Sequence, residues 1–138
     1  MANNEYVGSI FIGSWVTSTG TTVISTDSRN FTYTPTIDLI DATAGADTGK
    51  RNLASFLDST MACEMLDQSD NGSAVYAEYA AGKVGTMIWG NQGTATGKIK
   101  HTQPAICMGA VIGVPYKDVV TLSVSWKQTA AETLGTYT

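Results

Sequence analysis

With 138 residues, a formal net charge of -4 and only 14% charged residues, the chain is long enough to bury a core without disulfide or metal staples. It carries far fewer charges than the quarter or so of an ordinary soluble domain. There is no basic patch of the kind that neutralises phosphates, Lys98 and Lys100 being the nearest approach to one, which excludes sequence-reading of DNA.

Residues 1–5 (MANNE) read as a polar terminus without a basic leader, and the apolar run after it is short and broken by Gly8 and Ser9. Neither a signal peptide nor a membrane span is expected, and the chain should fold in a reducing cytosol. Residues 6–15 (YVGSIFIGSW) predict a first strand with glycines at a bend or bulge. The Thr/Ser/Gly-rich residues 18–27 predict a hairpin turn around Thr19-Gly20, with Val23 and Ile24 on the return strand.

In residues 31–41 (FTYTPTIDLID) Phe31, Tyr33, Pro35, Ile37 and Leu39 alternate with Thr32, Thr34, Thr36 and Asp38. Pro35 has no amide to donate, so this strand belongs at a sheet edge or carries a bulge. The following run, ATAGADTGKRN, is too long for a simple turn and too polar to order itself; such a run is flexible alone or ordered by a partner. Residues 59–67 (STMACEMLD) alternate as a strand, and SDNGSAVYAEYAAGK is the one helix candidate. Asp70 or Ser73 would be its N-cap, Val75, Tyr76 and Tyr79 one face packed on the outer side of a sheet, and Gly82 its stop.

Residues 84–90 predict a strand, NQGTATG a turn, and residues 98–114 a long extended stretch bent or divided at Pro104 and Gly109. Beyond Pro115-Tyr116 comes the clearest alternation in the chain. Val120, Leu122, Val124 and Trp126 form a dry face, and Val119, Thr121, Ser123, Ser125 and Lys127 a polar one. Residues 130–138 read as a polar tail. Strands, one helix, then strands predict a mainly antiparallel β fold, a sandwich or partial barrel with one flanking helix.

No catalytic or metal constellation emerges. His101 is the sole histidine and has no acidic neighbour in sequence, so a solvated strand histidine is the reading. Cys63 and Cys107 sit in apolar runs without metal-ligand spacing and read as reduced core residues. The carboxylates Asp38, Asp41, Asp47, Asp58, Glu64, Asp67 and Asp70 flank loops but lack EF-hand spacing, and GNQGTATGK lacks the spacing of a phosphate loop.

Taken together, TPTIDLIDATAGADTGKRNLASFLDSTMACEML, the central helix, MIWGNQGTATGKIKHTQPAICMGAVIGVPYKDVVTLSVSWKQTA and its PYKDVVTLSVSWKQT ending resemble the major tail tube proteins of tailed bacteriophages with long non-contractile tails. The resemblance covers residues 30–130 and involves no catalytic motif. It implies a β-sandwich with a flanking helix that assembles as stacked hexameric rings, a virion tail through which DNA passes unread. Tail terminator, tape-measure and tail-tip proteins are then its partners, with no cofactor and no membrane. On this reading Asp41, Asp47, Lys50 and Arg51 belong to a loop reaching the adjacent ring. Thr32, Thr34, Thr36 and Asp38 with Thr121, Ser123 and Ser125 would line the lumen, and Lys127 would lie beyond it or pair with an acid such as Asp38. The competing reading is a non-enzymatic binding or decoration module whose Trp15, Trp89 or Trp126 lines a ligand face.

Overall fold

The alternation of residues 119–127 produces the strand it predicts. A computed structural model describes residues 8–67 and 72–138, and in it β7 (Thr121–Gln128) buries Leu122, Val124 and Trp126 while Ser123 and Lys127 stay exposed. Seven further strands precede or follow it: β1 (Ile12–Thr17), β2 (Gly20–Val23), β3 (Ser28–Asp41), β4 (Asn52–Leu66), β5 (Val84–Gly90), β6 (Ile99–Gly113) and β8 (Thr133–Thr136). All are joined antiparallel in one sheet of order β2-β1-β5-β6-β7-β4-β3, with β8 on β6. The expected strand at residues 6–15 begins only at Ile12, after a 3-10 turn at Gly8–Ile10 whose Gly8 carbonyl accepts the Phe11 amide. Tyr6, Val7, the polar terminus before them and the cap candidate Asp70 lie outside the described residues.

One sheet makes the whole core by folding over itself. Trp15 on β1 and Trp126 on β7 are three strand spacings apart in the order, about 14 Å on a flat sheet, yet their ring centroids are 5.8 Å apart. Phe31 on β3 lies 5.1 Å from Trp89 on β5 and 4.8 Å from Phe11 beside β1. The far ends of the order therefore face each other, which is the expected partial barrel built from a single open sheet. β6 is the strand common to both layers. Its residues 101–106 ladder to β5 and residues 105–113 to β7, with a bulge between Cys107 and Gly109. Gly109, at φ +113°, adopts there a backbone that L side chains rarely take.

Pro104 does not divide β6. Its carbonyl accepts the Thr129 amide, so its missing N–H points at the short gap between β7 and β8, where no ladder partner is required. β8 resumes the same edge of β6 (Thr102↔Thr133 to Ile99↔Thr136). The stretch read as a polar tail is thus partly a strand, and Tyr137 beyond it packs against Gly90. Pro35 lies, as expected, on the edge strand β3.

The core is a cluster of Trp15, Ile24, Met61, Cys63, Met65, Tyr79, Met87, Trp89, Leu122, Val124 and Trp126, with Ala105 and Cys107. Both cysteines are free thiols whose pKa burial pushes up. Buried Gln103 is satisfied by the Pro104 and Ala130 carbonyls at 2.8 Å and by the Ser59 hydroxyl. Among the described residues the indole N–H groups of Trp89 and Trp126 find no acceptor, a cost of about 1–3 kcal/mol each that ring packing must exceed.

The helix α1 (Ser73–Glu78) is shorter than its sequence suggests. Its N-cap is Gly72, without a side-chain cap bond. It packs against core residues and not on the opposite, outer face of the sheet. Tyr79 meets Trp126 edge-on, its hydroxyl reaches the Met65 sulfur at 3.7 Å, and its carbonyl accepts from Cys107. Val75 and Tyr76 pack on the same cluster, and the Trp15 indole donates to the Glu78 carbonyl at 2.9 Å. The Glu78 carboxylate accepts from Thr17 and Thr19 in the β1–β2 turn, and those hydroxyl bonds hold its pKa below the usual carboxylate range.

Tyr79→Asp should therefore destabilise the unassembled subunit by roughly 3 kcal/mol, since it leaves a charge unpaired in the core. Chemical denaturation reads it, and an unchanged midpoint contradicts the packing. Because the Glu78 pKa is depressed on folding, its contribution is present above the unfolded value of about 4.3 and is lost as pH falls through the folded value. Glu78→Gln should be less stable than the parent at neutral pH, with the gap closing in acid. A gap equal at both pH values would refute the assignment.

Candidate functional site

Two features stand apart from the core: a polar sheet face and a long hairpin arm. Burial of Met61, Cys63 and Met65 on β4 and of Leu122, Val124 and Trp126 on β7 turns the intervening residues to the opposite face. The register then sets them in rows. Thr32, Ala62, Ser125 and Gly109 form one row, Asn30, Glu64, Ser123 and Val111 the next, and Thr34, Thr60, Lys127 and Ile106 lie on the other side. Thr36 stands opposite Asp58 and Thr121 opposite Leu66 and Gly113. The two hydroxyl strands picked out by alternation are thus not neighbours. β4 runs between them, and Thr60 and Ala62 continue the small, uncharged surface.

The cations of this face are matched by carboxylates. Lys127 Nζ lies 3.2 Å from Asp58, the acid directly across the ladder from Thr36, and not beside Asp38, the partner suggested above. Arg29 reaches Glu64 at 3.8 Å. Asp38 sits at the register shift between Ile37 and Leu39. A shallow depression of about 230 Å³ lies over Asn30, Thr32, Ala62, Glu64, Val111, Ser123 and Ser125.

Among the described residues, the four-stranded half carrying this face has two unladdered borders. β3 ends the strand order on one side. On the other, the β5 ladder stops at Val84↔Ile106, extended only by bonds of Cys107 with Gly82 and Lys83. Residues 110–113 of β6 are then laddered to β7 alone among the described residues.

The arm is the distal part of the β3–β4 hairpin. Sequence reading starts the second strand at Ser59, whereas β4 begins at Asn52. Leu53, Ala54, Phe56 and Leu57 hide it because they do not alternate; the register shifts opposite them, between Ile37 and Leu39. Both faces of the arm are exposed, Phe56 by 78%. The loop of residues 42–51 at its tip, expected to lack order of its own, carries a set of local hydrogen bonds. Asp41 accepts from the Thr43 amide (2.9 Å) and hydroxyl (2.6 Å), which hold its carboxyl below its usual pKa, and Asp47 accepts from the Ala44 amide (2.7 Å). The Thr43 hydroxyl also accepts from the Arg51 amide, and Ala42 donates to the Arg51 carbonyl. Both acids are engaged in the turn, and among the described residues neither Lys50 nor Arg51 forms an ion pair with them.

His101 is not a solvated histidine. Its Nδ1 contacts Glu132, whose other oxygen accepts the Tyr33 hydroxyl at 2.7 Å, and its ring stacks on Trp89 at 3.9 Å. Burial, then the bond to Glu132, raises the Tyr33 pKa. The partner lies 31 residues away in the stretch read as tail, where no local signal could reveal it. One carboxylate with two donors fastens β3, β6 and the β7–β8 connection together. Among the described residues no hydroxyl or thiol hydrogen-bonds to the imidazole, and no three His, Cys, Asp or Glu side chains could hold a metal ion together. Trp15, Trp89 and Trp126, the candidate ligand-face residues, are all buried. No described helix is long and apolar enough to cross a membrane.

No family model and no curated protein matches the sequence. Solved structures do match the fold. A chain from the tail of an empty gene transfer agent (GTA) particle, determined with C6 symmetry, superposes with a TM-score of 0.73 at 10% identity over 97% of this chain and 99% of that one. A chain of the 6-fold symmetrised anti-feeding prophage (AFP) baseplate gives 0.74 at 9% identity over 98% of both. A chain of the SPP1 tail tube gives 0.73 at 8% identity over 96% of this chain and 80% of that one. The chain is similar to all three along nearly its whole length, and it shares the fold of these chains from the GTA tail, the AFP baseplate and the SPP1 tail tube.

Proposed function

We propose that this protein is a structural, non-enzymatic subunit of a viral tail, whose copies close into six-membered rings that stack into a tube for DNA. The observation that carries the reading is the four-stranded half β6-β7-β4-β3, polar on one face, with an unladdered border on each side. Exposed edges invite pairing with another chain, and closure into a barrel removes them. The half begins with β6 and ends with β3, which run in opposite directions, so β3 of one copy meets β6 of the next antiparallel. The six-fold symmetry of the GTA tail and AFP baseplate structures supports the copy number.

In such a ring the face with Thr32, Thr34, Thr36, Asp38, Thr121, Ser123 and Ser125 lines the lumen. DNA carries about one negative charge per 1.7 Å of axis, so unpaired lysines on the wall would bind it and release counterions. Here Lys127 is held by Asp58 and Arg29 by Glu64, with Asp38 in addition. Hydroxyls keep the wall wet, and the small acid excess, repeated around the ring, repels the duplex. The loop with Asp41, Asp47, Lys50 and Arg51 extends from the rim toward the adjacent ring. Partners would be further copies, then the proteins that terminate the tube, set its length and form its tip.

Negative-stain microscopy of the concentrated protein tests the reading: hollow tubes are expected, and dispersed particles at every concentration contradict it. Ser123→Lys should still assemble but slow DNA passage, with added salt relieving the slowing. Normal passage, or failure to assemble, would remove Ser123 from the lumen. Replacing residues 42–51 by a short Gly-Ser turn should leave a folded subunit that does not form tubes. Normal tubes from that variant would exclude the loop from ring-to-ring contact.

A further inference from the structure

Between the two layers, on the core side of β3, lies a cleft of about 760 Å³. Phe11, Phe31, Tyr33 and Trp89 form its apolar wall, with Ser28 and Asn91 among its polar residues. Phe11, Phe31 and Tyr33 pack against the core but are only partly buried. β3 is the last strand of the order, so among the described residues the sheet stops at this side of the cleft. The other border of the four-stranded half shows the complementary defect. Ile112 pairs with Leu122, so its side chain points to the core side, as those of Leu122 and Ala110 do. Yet Leu122 is 1% exposed and Ile112 52%, where β6 has no strand beyond it among the described residues.

We infer that the cleft is a socket for the next copy in the ring, whose Ile112 enters it and completes the core of its neighbour. This rests on the edge pairing proposed above, and it identifies a side-chain site that backbone pairing does not require. Across the half the rows read Ser28, Met65, Leu122, Ile112 and Phe31, Cys63, Val124, Ala110. A copy added without stagger therefore sets its Ile112 beside its neighbour's Ser28. β3 starts at Ser28, so the stagger that closes a barrel can carry Ile112 only toward Phe31 and Tyr33 if the new ladder is to keep its length. Alternation holds Ile112 on the core side throughout. The core-side residues it meets in turn are Ser28, Phe31 and Tyr33, and all three line the cleft. Knob and socket sit on opposite borders, so in a closed ring every copy uses both. A half-exposed aliphatic side chain and three partly exposed rings then leave water together, the usual form of an anchor in a pocket. The cleft exceeds one isoleucine, and its polar residues can keep water in the remainder. Arg29, the one charged residue among those described on the cleft, lies 3.8 Å from Glu64, so the knob strands no unpaired charge.

The test uses Ile112→Asn on the knob, Asn91→Trp in the cleft, and Val111→Asn, which lies on the same free edge as Ile112 but faces the polar side with Ser123. All three residues are exposed, so each subunit should keep its unfolding midpoint. Ile112→Asn and Asn91→Trp should each raise the concentration needed for ring formation by about tenfold or more, read by sedimentation and microscopy, and Val111→Asn should change it by less than about threefold. Ile112→Asn subunits that form rings at the wild-type concentration overturn the inference and leave the ring reading intact. Equal losses from Ile112→Asn and Val111→Asn overturn it too, since bare edge pairing then accounts for the contact. Asn91→Trp subunits that assemble as readily as wild type remove the cleft as the receiving site. A lowered unfolding midpoint for monomeric Ile112→Asn places Ile112 in the core of its own subunit and counts against the knob. A wild type that stays monomeric at high concentration removes the ring reading and this inference together.

Discussion

A single sheet that must cover its own apolar face has one place to turn, and here that place is β6. Its first part belongs to the layer with β5 and β1, its last part to the layer with β7, β4 and β3. The bulge at Met108 and the positive φ of Gly109 lie where it passes from one to the other. Everything buried depends on that turn. Without it Trp15 would not reach Trp126, Phe31 would not reach Trp89, and α1 would have no two-layered core for Tyr79 to enter. The Tyr33–Glu132–His101 bonds hold the layers at the opposite margin, so the curl is fixed by packing in the middle and by polar contacts at its rim.

How far the sequence reveals this depends on the range of each signal. β5 has the limits its apolar run suggests, and β7 the face its alternation suggests, because a half-buried strand is a local pattern. Pro35 announces an edge through its missing donor. By contrast β8 is exposed at every position and offers no pattern. The first turns of β4 are masked by a bulge, and α1 starts from Gly72, which has no side chain to advertise a cap. The polar rows are half legible. Alternation separates Thr32, Thr34 and Thr36 from Tyr33, and Ser123 and Ser125 from Val124, but that β4 lies between them is a matter of topology. The pairing of Lys127 with Asp58 rather than Asp38 follows from that same interposed strand.

The division of labour between the two faces of β4 and β7 also explains the low charge of the chain. One face must be dry to make the core. The other keeps its wetting groups neutral or in matched pairs, so few ionisable residues remain to be placed elsewhere. What charge there is concentrates in turns, where Asp41, Asp47 and Asp118 act as acceptors for backbone amides.

The strand count of the polar half has a consequence of its own. Four antiparallel strands begin and end in opposite directions, so joining such a half to a copy of itself continues the same ladder with no seam, whether five, six or seven copies take part. Hydrogen bonding is therefore silent about how many copies a closed wall contains. In such a wall that number would fall to the angle each copy adds to the circumference, a matter of strand twist and bulges and not of ladder pairing. In a ring of such halves the bore would be encoded in backbone curvature, carried by the same strands whose hydroxyls form the polar face.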